Sequence, residues 1–155
     1  MPARERPNHL RPAAIALVVV GGALGAAGRE AVVLTVPDVP EVPDVGGLPL
    51  AILLVNVVGA FVLGLLYESL TRRPPGEPRA GRLRLLLGTG FCGGFTTYST
   101  LATGTALLVD ASRTDVAMLY VAATLVVGTM ATVLGIVAGS RLPASDRPAD
   151  GGVRR

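Results

Sequence analysis

The residues best suited to chemistry sit close together, in a run from Gly88 to Thr100 that reads Gly-Thr-Gly-Phe-Cys-Gly-Gly-Phe-Thr-Thr-Tyr-Ser-Thr. The chemistry on offer is that of exposed backbone and clustered hydroxyls. Paired Gly93-Gly94 ahead of Thr-Thr-Tyr-Ser-Thr invites a helix to break. A break exposes backbone, which in the middle of a membrane is tolerated only if buried in protein or lining a wet cavity. Asn56 brings an amide NH₂ into an otherwise apolar run. It can donate to an anion, or it can hold two helices together. Thr97, Ser99, Thr100 and Thr124 can extend a track of hydroxyls. Close helix packing by small residues explains Gly21-xxx-Gly25 and Gly135-xxx-Gly139. It does not call for hydroxyls beside the glycines of the 88–100 run.

Other chemistries find little support. The one histidine, His9, lies near the start of the chain, and no Ser/His/Asp, Cys/His or metal-ligand set recurs within the apolar stretches. An enzyme is not expected. Proton-coupled exporters rely on an ionisable group buried in the membrane. Here Arg29-Glu30 ends the first apolar stretch, and the middle of every stretch is uncharged. The lone Cys92 cannot form an intrachain disulfide.

The elements that must carry these residues are membrane helices. The chain has 155 residues, 50% of them hydrophobic and 16% charged, with a mean hydropathy of +0.57. Charge is absent from Pro12 to Gly28, Val45 to Tyr67, Leu85 to Val109 and Val116 to Ser140. A hydrocarbon core of about 30 Å takes about 20 apolar residues in a helix, so four spans are predicted. The first also resembles a signal peptide, with Arg4, Arg6 and Arg11 ahead of an apolar run. A retained helix fits better, because Ala31-Val32-Val33-Leu34 resumes the apolar character and no secreted domain follows. Residues 1–11 are then an N-terminal cytoplasmic segment and 12–141 a four-helix transmembrane domain. Residues 142–155 form a tail too poor in apolar side chains to fold.

All the basic residues are arginines, and they fall unevenly. Three precede the first span, five lie between Arg72 and Arg84, and four follow Ser140, against Arg29 and Arg113 on the other two connections. The positive-inside rule then puts both termini in the cytoplasm of a cell-membrane protein. The net charge of +3 is accounted for by topology, without a nucleic-acid partner.

Gly-Phe-Cys-Gly-Gly-Phe-Thr-Thr-Tyr-Ser-Thr at 90–100 resembles the third-helix signature of the CrcB/Fluc fluoride channel family. Gly21-Gly22-xx-Gly25-Ala26-xx-Arg29, Val55-Asn56-xx-Gly59-Ala60-Phe61-xx-Gly64, and Tyr120 followed by Thr124 and Gly128 resemble its first, second and fourth helices, in family order.

The resemblance implies an all-α membrane protein with four transmembrane helices and a broken third helix, paired as an antiparallel (inverted) dimer. Fluoride would pass along two pathways at the subunit interface, around a central structural sodium ion. The sodium ligands would be the carbonyls of Gly93 and Thr96 from each subunit. The fluoride pathway would involve Asn56, Tyr98, Ser99, Thr100, Leu101, Tyr120 and Thr124. Two family phenylalanines that turn electropositive ring edges to the anion fall at Tyr98 and Leu101. Leucine has no ring, the family's threonine before the pore asparagine is Ile52, and its glutamate after the signature is Gly104. Strong arginine asymmetry also opposes dual insertion of a single chain. The expected partner, besides lipid, is therefore an inverted homologous subunit, with a second copy as the alternative. A small four-helix exporter and a non-conducting assembly subunit are the competing functions.

Overall fold

A computed structural model of the chain describes residues 11–36, 50–74 and 76–142. The N-terminal segment with His9 and the tail after Leu142, both expected from the sequence, lie outside the described residues, as does the acidic stretch 37–44 with Asp38, Glu41 and Asp44. Among the described residues every regular element is a helix.

Helix α1 runs Pro12–Thr35, with proline at its start, where a missing N–H costs nothing. It stops one residue short of Val36, which is extended (φ −94°, ψ 110°) because Pro37 follows. Its 24 residues span about 36 Å at 1.5 Å per residue. Arg29 and Glu30 therefore lie inside α1, more than a turn before its end, and not on a connecting loop as the charge pattern suggested. Helix α2 is Leu50–Thr71 and the last helix, α6, is Thr114–Ser140. These three are long and apolar enough to cross a membrane. The protein is thus a multi-pass membrane protein.

The predicted third span takes a different form. Helix α3, Pro78–Leu83, runs without a dihedral break into a π-helical segment, Arg84–Cys92, and then into one α-helical turn, α4, Gly93–Phe95. The helix ends at Thr96 (φ −81°, ψ 158°) and Thr97 (φ −147°, ψ 122°), both extended. It restarts as α5, Tyr98–Asp110. The break falls two residues after Gly93-Gly94, which stay helical.

Two parallel helix pairs make the packing. Helix α2 lies along α6: Gly64 meets Thr132 and Ile136, Gly135 meets Phe61 and Leu65, and Gly139 meets Leu65 and Glu68. Residue numbers rise together along both partners, so these helices point the same way. A Cβ at Gly135 would stand 2.9 Å from the Leu65 backbone nitrogen, closer than real Cβ atoms come. Helix α1 lies along the π segment and α4 in the same sense, with Gly21 against Gly90 and Gly25 against Phe91 and Phe95. A Cβ at Gly90 would lie 2.9 Å from the Gly21 Cα. Outward-facing side chains such as Leu24, Leu34, Leu119 and Leu125 are exposed and apolar, as hydrocarbon surroundings require.

Candidate functional site

The break is held by a side chain from another helix. With Thr96 extended, the Thr97 N–H cannot return to the Gly93 carbonyl as a continuing helix would have it. It donates to Asn56 Oδ1 at 2.8 Å, while Asn56 Nδ2 donates to the Thr97 carbonyl at 3.1 Å. One amide thus satisfies both polar groups of one residue, at a depth where each left unpaired would cost several kcal/mol. The amide's second N–H remains beyond this pair. Thr96 closes the preceding helix by donating from its hydroxyl to the Cys92 carbonyl at 2.8 Å. Among the described residues, no hydrogen bond outside the regular helical ones ends on the Gly93 or Thr96 carbonyl. Around Gly93 a Cβ would meet nothing within 4 Å.

The next helix starts at the same point. Thr97 is the N-cap of α5: its Oγ1 accepts from the Thr100 N–H at 3.3 Å. The hydroxyls of Ser99 (3.2 Å) and Thr100 (3.1 Å) gather on that same oxygen. Capping satisfies a donor that would otherwise be orphaned at a helix start.

A cavity of about 490 Å³ opens beside the break, between α2, the π segment and α6. Of the residues singled out in the sequence, Asn56, Gly93, Thr96, Thr97, Tyr98 and Thr124 border it. Tyr98 is 82% exposed. Thr124 is buried on α6, its hydroxyl donating back to the Tyr120 carbonyl at 2.8 Å. Ser99, Thr100, Leu101 and Tyr120 do not border the cavity. Tyr120 is buried, and its hydroxyl has no hydrogen-bond partner among the described residues. Phe91 and Phe95 stack with ring centroids 5.5 Å apart, on the side of the helix that meets α1.

Other wall residues were not singled out as site residues: Gly59, Ala60 and Leu63 on α2, and Gly88, Thr89 and Cys92 on the π segment. A signal for them existed. Asn56, Ala60 and Leu63 recur at helical spacing, as do Gly88, Cys92 and Thr96, so each set shares one helix face.

Comparison with known proteins agrees with this geometry. The family described as CrcB-like protein, Camphor Resistance (CrcB), matches residues 16–136. A protein of Leifsonia xyli named Fluoride-specific ion channel FluC 2 is 43% identical over 136 residues, covering 88% of this chain and 90% of its own. Fluoride-specific ion channel FluC of Ignicoccus hospitalis is 37% identical, covering 83% of this chain and 97% of its own. That of Methanopyrus kandleri is 41% identical, covering 86% and 93%. With the family matched across all the helices that build the break and its cavity, the chain belongs to the CrcB family, whose relatives here are named as ion channels and not as enzymes.

Proposed function

We propose that this chain is a subunit of a fluoride channel that lets fluoride leave the cytoplasm passively and so limits its toxicity. The observation that carries the reading is the helix break at Thr96–Thr97, clamped by Asn56 at the wall of a cavity within the membrane-spanning bundle. Non-helical backbone at that depth is tolerated only in protein or beside a wet cavity. Fluoride is small and strongly hydrated, so a selective path must offer donors in place of water. The free N–H of Asn56 is such a donor, and the Thr124 hydroxyl would become one by giving up its bond to the Tyr120 carbonyl. Ser99 and Thr100 would extend the track from the α5 cap, and Tyr98 and Leu101 from the same helix toward a partner subunit. Tyr120, with its unpartnered buried hydroxyl, belongs to the same reading.

Four crossings fit the packing. Helices α2 and α6 run parallel, so the chain between them has to return across the membrane, and 78–110 is the segment available. Arg72, Arg73, Arg84 and Arg141 then lie at one end, where Arg72 donates to the Ser140 carbonyl. That end would be cytoplasmic. The Gly93 and Thr96 carbonyls, which accept no hydrogen bond outside the regular helical ones among the described residues, would suit a sodium ion shared with an inverted subunit, with open space at Gly93. A cation there would draw an anion into a low-dielectric path. Numbered relatives, FluC 1 and FluC 2, support an inverted homologue as that partner, with a second copy as the alternative.

The deciding experiment is fluoride efflux from liposomes containing the chain alone, and then with an inverted homologue, against chloride. Efflux selective for fluoride is expected when the partner is present. Proton-coupled flux would favour an exporter, and no flux in either case would leave an assembly role.

A further inference from the structure

The cavity at the break adjoins a second hollow of about 290 Å³, with which it shares Leu63, Gly88 and Thr89. This hollow reaches Tyr67, Leu70 and Arg84, at the arginine-rich end of the bundle. The charges there are not equivalent. Arg72 pairs with Glu68 at 3.9 Å and Arg73 with Glu77 at 3.5 Å. Arg84, like Arg79, Arg82 and Arg141, has no carboxylate partner among the described residues, and of these four it is the one that borders the hollow. Its guanidinium makes one hydrogen bond, to the Leu70 carbonyl at 3.4 Å, near the end of α2. A guanidinium carries five N–H donors and stays charged at any relevant pH, so most of its donors are left for a ligand.

Thr89 stands on the wall common to both hollows, and no hydrogen bond joins its hydroxyl to another described residue. Arg84 and Thr89 are five residues apart within the π segment. A π-helix bonds residue i to i+5, so it turns less per residue than an α-helix and brings this pair nearer to one face. Both side chains accordingly border the same hollow. The π geometry acquires a use on this account: it lines up a cation and a hydroxyl along the way in.

Resting on the fluoride reading above, we propose that Arg84 is the anion-capturing residue at the basic mouth of the pathway, and that Thr89 is the hydroxyl waypoint between it and Asn56. An uncompensated cation at the mouth of a cleft raises the local anion concentration and the capture rate. The bland account of Arg84 is that it caps α2. Ionic strength separates the two for Arg84→Gln, because loss of a capturing charge is screened away at high salt whereas loss of the bond to the Leu70 carbonyl costs the same at both.

The test is the initial rate of fluoride efflux from liposomes, measured at low and high ionic strength adjusted with an impermeant salt. At about 0.01 M the Debye length is roughly 30 Å, and at about 1 M roughly 3 Å. Arg84→Gln is expected to lower the rate by about tenfold at low ionic strength, the small end of such steering effects, and to approach the unmodified protein at high. Arg84→Lys should retain the rate. Thr89→Val should slow efflux at both ionic strengths, and Thr89→Ser should restore it. An unchanged rate for Arg84→Gln at low ionic strength, or an equal loss at both, would overturn the capture role. A Thr89→Val rate equal to that of the unmodified protein would remove the waypoint. Absence of fluoride flux from the unmodified protein reconstituted with its inverted homologue would sink the channel reading, and this one with it. A conducting protein indifferent to Arg84→Gln would sink this one alone.

Discussion

At the scale of single residues, Asn56 does the most. Its amide is a helix-to-helix tie and a donor at once, because pairing with Thr97 uses the oxygen and one N–H and leaves the other. Asn56→Ala would leave the Thr97 N–H and carbonyl unpaired, at several kcal/mol for each group at this depth. A marked drop in thermal unfolding temperature in detergent is expected, with loss of fluoride efflux. Unchanged unfolding would mean that the break is held by something else. Thr97→Val removes the oxygen on which Ser99, Thr100 and the Thr100 N–H converge. Loss of that cap should cost about 1 kcal/mol, and Thr97→Ser should recover it in the same unfolding assay. Asn56 was legible in the sequence as a polar side chain in an apolar helix. Which of its two roles it fills was not, because that depends on where the Thr97 peptide lies in space.

At the scale of elements, the glycines divide by what they face. Gly135 sits on the α2 backbone and Gly90 on α1, so a side chain at either meets main chain that cannot yield. Gly128 has nothing within 4 Å of an added Cβ. Gly135→Val should therefore destabilise by about 1–3 kcal/mol, the usual cost of overpacking, whereas Gly128→Ala should be neutral or slightly stabilising through helix propensity. Comparing the two unfolding curves checks the packing of α2 on α6, and equal curves would contradict it. The sequence announced helices through apolar length, and the structure contains α1, α2 and α6 near the expected bounds. It did not announce the π segment, since an i→i+5 pattern leaves no hydropathy period of its own over nine residues. The glycine pair suggested a break, yet Gly94 is occupied in packing on Gly22, and the chain opens where Asn56 can receive it.

At the scale of the whole molecule, the single chain has an open face beside the sites proposed above. Tyr98 is 82% exposed and Gly93 is open, both beside the proposed ion sites. Gly93→Leu should leave the unfolding temperature of the isolated chain nearly unchanged but abolish dimerisation and efflux, as read by cross-linking and liposome flux. Intact flux would place the interface elsewhere. Replacing sodium by a large organic cation should lower efflux reversibly if the Gly93 and Thr96 carbonyls hold sodium. Flux indifferent to the cation would remove sodium from the account. A terminal reporter on the chain expressed alone should appear on the cytoplasmic side, because the arginines collect at one end of the bundle. A large outward fraction would instead favour a homodimer.

The sequence by itself determined the membrane helices, through charge-free runs long enough to span hydrocarbon. It also determined the basic end of the molecule, through the distribution of arginine, and the neighbourhood of the site, through glycine and hydroxyl residues placed where leucine would be cheaper. Only the tertiary structure decided which residues share the cavity, that Thr97 is the residue Asn56 clamps, that α1 and α2 run parallel to the third segment and α6, and that Arg84 and Thr89 look into one hollow. The physical reason is range. Burial in lipid is settled by each side chain alone, summed along a helix, whereas a satisfied peptide group or a shared cavity wall is a relation between segments that sequence separates and packing brings together.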